Sequence, residues 1–268
     1  MHIVACQLDI AWQDRQANRQ RVLDALSDEP IPVGSLIILP EMFETGFTMN
    51  VDVACDADGS SNQFLAELAR TYQSTVIAGV VNKAGDGKGL NQAVVITPDA
   101  SDSPGTSGNP ATTYTKMHPF SPVGEAECYR AGDAVTIFEY QGFKVSPLIC
   151  YDLRFPERFR EAVSLGAEVL VIIANWPSVR ASHWSALLVA RAIENQAYVV
   201  GVNRVGQDPS LPYPGLTAVI DPQGNTLAQA NDQQIVLHAD LDRDALLRYR
   251  SEFPFLNDIR GASEEGAV

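Results

Sequence analysis

The chain has 268 residues, enough to bury a sizeable core without disulfide or metal staples, and its 46 % hydrophobic and 19 % charged composition is globular rather than disordered. Its 19 Lys+Arg against 33 Asp+Glu give a formal net charge of −14, which speaks against nucleic acid and anionic membranes as partners, since both are bound through Lys and Arg. Cys6, Cys55, Cys128 and Cys150 include no Cys-x-x-Cys pair, the start MHIVACQLDI does not read as a signal peptide, and no apolar run nears the roughly 20 residues that span a bilayer. The expectation is a soluble, cytoplasmic protein with no metal site and no cofactor.

Ile3–Leu8 reads as a strand and Arg15–Leu26 as a helix carrying Val22, Leu23 and Leu26. Leu36–Leu39 is a strand, Ser61–Thr71 a helix, and Thr75–Val81 and Gln92–Thr97 are strands. Pro98–Pro110 (PDASDSPGTSGNP) is turn-rich and reads as a solvent loop between two strands. The short run Thr112–Thr115 ends at Lys116 and opens Met117–Asp133, a long connection of the structureless kind that is often functional. Val135–Tyr140 and Phe143–Ile149 are strands, and Pro156 opens a helix over Glu157–Leu165. Val169–Ala174 is a strand. Ser182–Gln196 is an Ala-rich helix, apolar over most of its circumference, and is expected to be buried on more than one side, in the core or at a homodimer seam. Tyr198–Val202, Leu216–Ile220 and Gln234–Ala239 are strands, Asp221–Asn225 is a hairpin turn, and Asp242–Arg250 is an amphipathic helix. Gly261–Val268 is small, acidic and expected to be flexible. No linker interrupts the chain, so residues 1–268 read as one domain. Strands alternating with helices indicate a layered α/β fold, and continuous apolar strands indicate sheets buried on both faces.

Three strands run into polar residues at their carboxyl ends, where ligands of α/β sheets sit. Leu36-Ile-Ile-Leu-Pro leads to Glu41, Val171-Ile-Ile-Ala-Asn to Trp176, and Phe143-Lys-Val-Ser-Pro-Leu-Ile to Cys150. Cys150 precedes the turn Tyr151-Asp-Leu-Arg-Phe-Pro156 into a helix, an elbow that exposes a nucleophile beside free backbone N–H groups. A carboxylate at Glu41 suits a general base, and a lysine at 116 suits an anionic intermediate. Each residue also has an ordinary structural reading: a buried cysteine, a turn glutamate and a solvated strand-end lysine.

Taken together, LPEMF around Glu41, YTKMHPF around Lys116 and LICYDLRFPE around Cys150 resemble the Glu-Lys-Cys triad blocks of the nitrilase superfamily, the carbon–nitrogen hydrolases. The resemblance extends over roughly residues 2–240 and includes IVACQLDIAW, AGVVNK, ANWP at 174–177, HW at 183–184 and ARAIENQAYVVGVNRVG at 190–206. The CYDLRFP and ANWP blocks are most similar to the ω-amidase branch, which hydrolyses terminal amides of short 2-oxo acids such as 2-oxoglutaramate and 2-oxosuccinamate.

The resemblance implies a four-layer α-β-β-α sandwich; the element order alone leaves a three-layer fold equally open. It implies that Glu41 takes the Cys150 proton, that the thiolate attacks the amide, and that Lys116 and the Tyr151 backbone N–H hold the oxyanion of a path through a thioester. It also implies a second glutamate after the lysine, at Glu125, with Glu127 as its rival. A 2-oxo-acid amide needs a cation for its carboxylate. Arg154 is favoured over Arg180, because family members that take carboxylate substrates carry an arginine there. Phe43 and Trp176 are expected as pocket walls. Other readings are hydrolysis of a nitrile or an N-carbamoyl amino acid, a papain-like Cys-His hydrolase using His118 or His183, and a non-catalytic binding member. The papain-like reading leaves the Glu and Lys blocks without a role, and the binding reading does not account for an intact triad.

Overall fold

A computed structural model describes residues 1–99 and 110–260. Residues 100–109 of the expected solvent loop, and the expected flexible tail Gly261–Val268, lie outside the described residues.

The first half of the chain supplies β1 (His2–Gln7), β2 (Leu36–Ile38), β3 (Thr75–Lys83), β4 (Gly89–Ile96) and β5 (Thr112–Thr115). The second half supplies β6 (Phe138–Tyr140), β7 (Phe143–Ile149), β8 (Val169–Ala174), β9 (Tyr198–Asn203), β10 (Val205–Gln207), β11 (Pro212–Pro214), β12 (Ala218–Ile220), β13 (Thr226–Gln229) and β14 (Ile235–Asp240). They form two six-stranded sheets, β14-β1-β2-β3-β4-β5 and β13-β12-β9-β8-β7-β6, and a small β10-β11 hairpin. In each large sheet three consecutive strands are parallel, β1-β2-β3 and β7-β8-β9, and the flanking pairs are antiparallel. The same pairing pattern therefore occurs twice, with β2 and β8 in equivalent central places. The strand-end echo between Leu36–Glu41 and Val171–Trp176 is the sequence trace of that equivalence.

The helices are α1 (Arg15–Ser27), α2 (Val51–Ala54), α3 (Ser60–Tyr72), α4 (Glu125–Cys128), α5 (Pro156–Ser164), α6 (Ala181–Asn195) and α7 (Arg243–Glu252). Asp14 caps α1 by accepting from the Ala17 N–H at 3.0 Å, and Pro156 opens α5, where a missing N–H costs nothing. Period-two alternation divides each strand between two cores. Ile3, Ala5, Leu36 and Ile38 point inward onto Val145, Val171, Ile173 and Val200 of the other sheet. Val4, Cys6, Ile37 and Leu39 point outward onto Val22 and Leu26 of α1 and Leu65 and Leu68 of α3. Leu170, Ile172 and Val199 pack outward onto Phe159 of α5 and Trp184 and Leu188 of α6. Helix, sheet, sheet and helix make four layers, and the double burial explains why these strands read as unbroken apolar runs. Each fully buried Ile, Leu or Val contributes on the order of 1.5–3 kcal/mol.

Some elements differ from the expectation. Met117–Asp133 is not structureless: it contains a 3₁₀ turn at Ser121–Val123 and α4. Only Phe138–Tyr140 of the expected strand Val135–Tyr140 is paired. The short helix α2 and the hairpin β10-β11, whose second strand carries Pro212 and Pro214, have no period to reveal them. Within a single chain, α6 buries one side, through Trp184, Leu188, Ala192 and Asn195, and leaves Ile193 45 % exposed. Among the described residues, no helix is long and apolar enough to cross a membrane.

Candidate active site

Glu41 lies three residues beyond β2, where the chain is tied to β3. The Gly79 N–H donates to the Pro40 carbonyl at 3.1 Å and the Phe43 N–H donates to the Gly79 carbonyl at 3.2 Å. A Cβ on Gly79 would stand 2.4 Å from the Glu41 Cα, so glycine is required for this approach. Lys116 follows β5 and is held by its backbone, with its N–H on the Asn91 carbonyl and its own carbonyl accepting from Gly132, both at 2.9 Å. Glu125 opens α4, and its carboxylate turns back to accept from the Phe120 N–H. Cys150 follows β7 with φ +45°, a left-handed conformation strained for a residue with a side chain. A 3₁₀ turn, Cys150–Arg154, begins there, so the Tyr151 N–H belongs to a helix start for which the helix supplies no acceptor.

These side chains converge. Lys116 Nζ lies 2.9 Å from Glu41 Oε1 and 3.0 and 2.9 Å from the two oxygens of Glu125. Asn91 Nδ2 donates to both glutamates, at 2.8 and 3.0 Å. The other oxygen of Glu41 accepts from the Asn175 N–H at 2.9 Å and from Asn175 Nδ2 at 3.3 Å. Cys150 Sγ sits 3.9 Å from the Asn175 carbonyl oxygen, so Asn175 links the thiol to the carboxylate. Glu41 and Glu125 are fully buried and Lys116 is 1 % exposed. Taking such charges out of water costs several kcal/mol each unless every one is paired and hydrogen-bonded, a condition these contacts meet. Glu127 is exposed on the same short helix, whereas Glu125 is buried against Lys116.

The electrostatics divide the site into a base and an acid. Burial pushes the Glu41 carboxyl up, but the Lys116 charge and the hydrogen bonds from Lys116, Asn91 and the Asn175 backbone outweigh it and hold it below the ordinary carboxylate range. Burial pushes Lys116 down, and the charges of Glu125 and Glu41 more than reverse that, so it stays a cation. Burial, then the Glu41 charge, push the Cys150 thiol well above its usual value, and Lys116 offsets only part. At neutral pH the resting pair is an ionised Glu41 beside a protonated thiol. That arrangement suits general-base activation at the moment of attack, not a stored thiolate.

A cavity of about 290 Å³ opens beside Cys150. Tyr151, Arg154, Trp176 and Arg180 line it, as do Phe47, Phe120 and the Asp208–Tyr213 hairpin. The Arg154 guanidinium lies 4.9 Å over the Trp176 ring and donates to His183 Nδ1 at 3.1 Å. The Arg180 guanidinium lies 5.2 Å over the Phe120 ring. Among the described residues, neither arginine has a carboxylate within ion-pair distance. Asp152, two residues before Arg154, is occupied by Tyr114, His118 and Ile149. Phe43 is a correction: it is fully buried behind the first sheet, 6.1 Å from the Phe64 ring, and does not line the cavity. Met42 at φ +45° turns the chain there, and Phe47, four residues on, lines the cavity in place of Phe43.

Sequence reasoning missed Asn91, Asn175, Asn203 and Asp152. Asn175 was within reach as part of the ANWP block. Asn203, which bonds the Trp176 N–H and carbonyl at 2.7 and 3.0 Å, lies in the quoted GVNRVG stretch.

The profile of the carbon–nitrogen hydrolase family matches residues 3–251. The chain is 36 % identical over 260 residues to the omega-amidase YafV of Escherichia coli K12, covering 96 % of each protein. It is 32 % identical over 260 residues to a 2-oxoglutaramate amidase of Bacillus subtilis, covering 96 % of this chain and 97 % of that one. It superposes with a TM-score of 0.89 at 32 % identity, over 97 % of each chain, on XC1258 from Xanthomonas campestris, a CN-hydrolase superfamily protein whose crystal structure holds an arsenic adduct in the active site. The catalytic blocks, the doubled sheet pattern and these matches agree: the chain belongs to the carbon–nitrogen hydrolase family and is an enzyme of that family.

Proposed function

We propose that this enzyme hydrolyses the terminal amide of a short 2-oxo dicarboxylic acid monoamide, of the 2-oxoglutaramate or 2-oxosuccinamate type, to the acid and ammonia. The observation that carries the substrate class is a pair of guanidiniums, Arg154 and Arg180, facing the cavity beside Cys150 with no carboxylate partner among the described residues. In a chain of net charge −14, cations left unpaired at a cavity wall are places for an anionic ligand, and a guanidinium grips a carboxylate in two parallel hydrogen bonds. A cavity of about 290 Å³ lies at the small end of ligand pockets and fits a small acid amide. The names of the Escherichia coli and Bacillus subtilis relatives support the same reading.

Glu41 takes the Cys150 proton as Sγ attacks the amide carbonyl carbon. The tetrahedral oxyanion is held by Lys116 Nζ and the Tyr151 N–H, a contribution typically worth about 10²–10³ in rate for one donor. Glu41 returns the proton to the amide nitrogen, the C–N bond breaks, ammonia leaves, and a thioester remains on Cys150. Water then gives a proton to Glu41 and attacks the thioester. The acid departs as the C–S bond breaks, and the proton returns to sulfur. Glu125 keeps Lys116 fixed and protonated through this cycle.

The test is an ammonia-release panel of 2-oxo acid ω-amides, neutral amides, nitriles and N-carbamoyl amino acids. The ω-amides are expected to give the highest kcat/KM. Arg154→Leu is expected to raise KM for them about 10–100-fold, the worth of a charge-assisted hydrogen bond, without changing KM for a neutral amide. A nitrile or N-carbamoyl substrate leading the panel overturns the substrate class.

A further inference from the structure

We propose that Asp152 is a positioning residue that sets the spacing between the two oxyanion donors, Lys116 and the Tyr151 N–H. The inference rests on the reading of Cys150 and Lys116 given above. Lys116 comes from the edge of the first sheet and the Cys150 elbow from the second, so something must fix one against the other.

Asp152 is fully buried, and its carboxylate accepts four hydrogen bonds. Oδ1 takes the His118 N–H at 3.0 Å and His118 Nδ1 at 2.8 Å. Oδ2 takes the Tyr114 hydroxyl at 2.7 Å and the Ile149 N–H at 3.1 Å. Tyr114 stands two residues before Lys116 and His118 two residues after it. Ile149 precedes Cys150, and Asp152 itself follows Tyr151. One carboxylate thus binds the residues that bracket the lysine to those that bracket the nucleophile and its N–H donor. The His118 ring is further clamped by stacking on Phe155, at 3.7 Å and 8°. By taking the Ile149 N–H, Asp152 also occupies the amide just before the elbow and leaves the Tyr151 N–H to the oxyanion. The Asn175 bridge between Glu41 and Cys150 is separate from this tie, so proton transfer and oxyanion stabilisation are positioned by different residues.

Because all four partners donate, Asn at position 152 would turn its NH₂ against two of them. The test compares Asp152→Asn, the double variant Tyr114→Phe/His118→Ala, which leaves the carboxylate in place should Asp152→Asn not fold, and His118→Asn, whose amide nitrogen replaces Nδ1. Three quantities are read: kcat, KM, and the rate of Cys150 alkylation by iodoacetamide, a displacement that forms no oxyanion. The first two variants are expected to lose about 10–100-fold in kcat, less than the roughly 10²–10³ for outright removal of one oxyanion donor because both donors remain, with KM and the alkylation rate unchanged. His118→Asn is expected to retain kcat. Unchanged kcat in the double variant, or alkylation falling in step with kcat, overturns the proposal. Amide hydrolysis surviving in Cys150→Ala would instead overturn the underlying reading of the nucleophile.

Discussion

Lys116→Met tests whether the lysine governs the charge of the base as well as the oxyanion. Lys116 is the cation that pairs with both Glu41 and Glu125. At an effective dielectric of about 20, an ammonium about 3 Å from a carboxylate stabilises its charge by about 5 kcal/mol. Removing Lys116 therefore reverses the downward hold on Glu41, and burial, no longer opposed by that charge, pushes its carboxyl above the ordinary carboxylate range. In the native enzyme Glu41 is ionised from below the ordinary carboxylate range upward, and in Lys116→Met it ionises only as the pH is raised well beyond that range. Cys150 alkylation by iodoacetamide, followed by mass spectrometry between about pH 5 and 9, reads the base without needing the oxyanion. The expected result is slow alkylation at neutral pH that recovers as pH rises, with amide hydrolysis lost. An alkylation profile superimposable on that of the native enzyme, with hydrolysis still lost, would refute control of Glu41 by Lys116.

Two further outcomes follow from the geometry. Gly79→Ala places a methyl 2.4 Å from the Glu41 Cα and 2.5 Å from the Met42 backbone nitrogen. It is expected to cost about 2 kcal/mol or more in denaturant unfolding and to lower kcat, because neither backbone atom can yield without moving the base; native stability with native kcat would contradict this. At the cavity mouth, a guanidinium only donates, so His183 Nδ1 accepts from Arg154 with a lone pair. His183→Leu is expected to raise KM for carboxylate-bearing amides about 3–10-fold, and His183→Gln, which keeps an acceptor, to preserve it; equal KM for the two variants would contradict that role.

The legible parts of the chain were those whose physics is local. Ile3–Leu8 and Val169–Ala174 read as strands because both faces of each sheet are buried, and the run into Cys150 reads as an elbow because the strand stops abruptly before a Pro156-led helix. Glu41, Lys116 and Cys150 stood out because each sits in a contiguous block of several residues. Asn91 did not, because its role consists of contacts to residues 34 and 50 positions away, and Asp152, though inside the Cys150 block, takes its role from Tyr114 and His118, 38 and 34 positions away. Phe43 was misplaced for a related reason. Its distance from Glu41 along the chain is short, but the left-handed turn at Met42 sends it to the opposite face of the sheet. The helix α4 is not legible because four residues carry no period.

The central claim is a covalent acyl-enzyme on Cys150. Acid-quenched reaction mixtures with an ω-amide substrate, examined by intact and peptide mass spectrometry, test it most directly. The expected result is an adduct on the Cys150 peptide weighing the substrate less ammonia, present during turnover, absent once substrate is consumed, and absent together with ammonia release in Cys150→Ala. Ammonia release by Cys150→Ala at a rate near that of the native enzyme would contradict it.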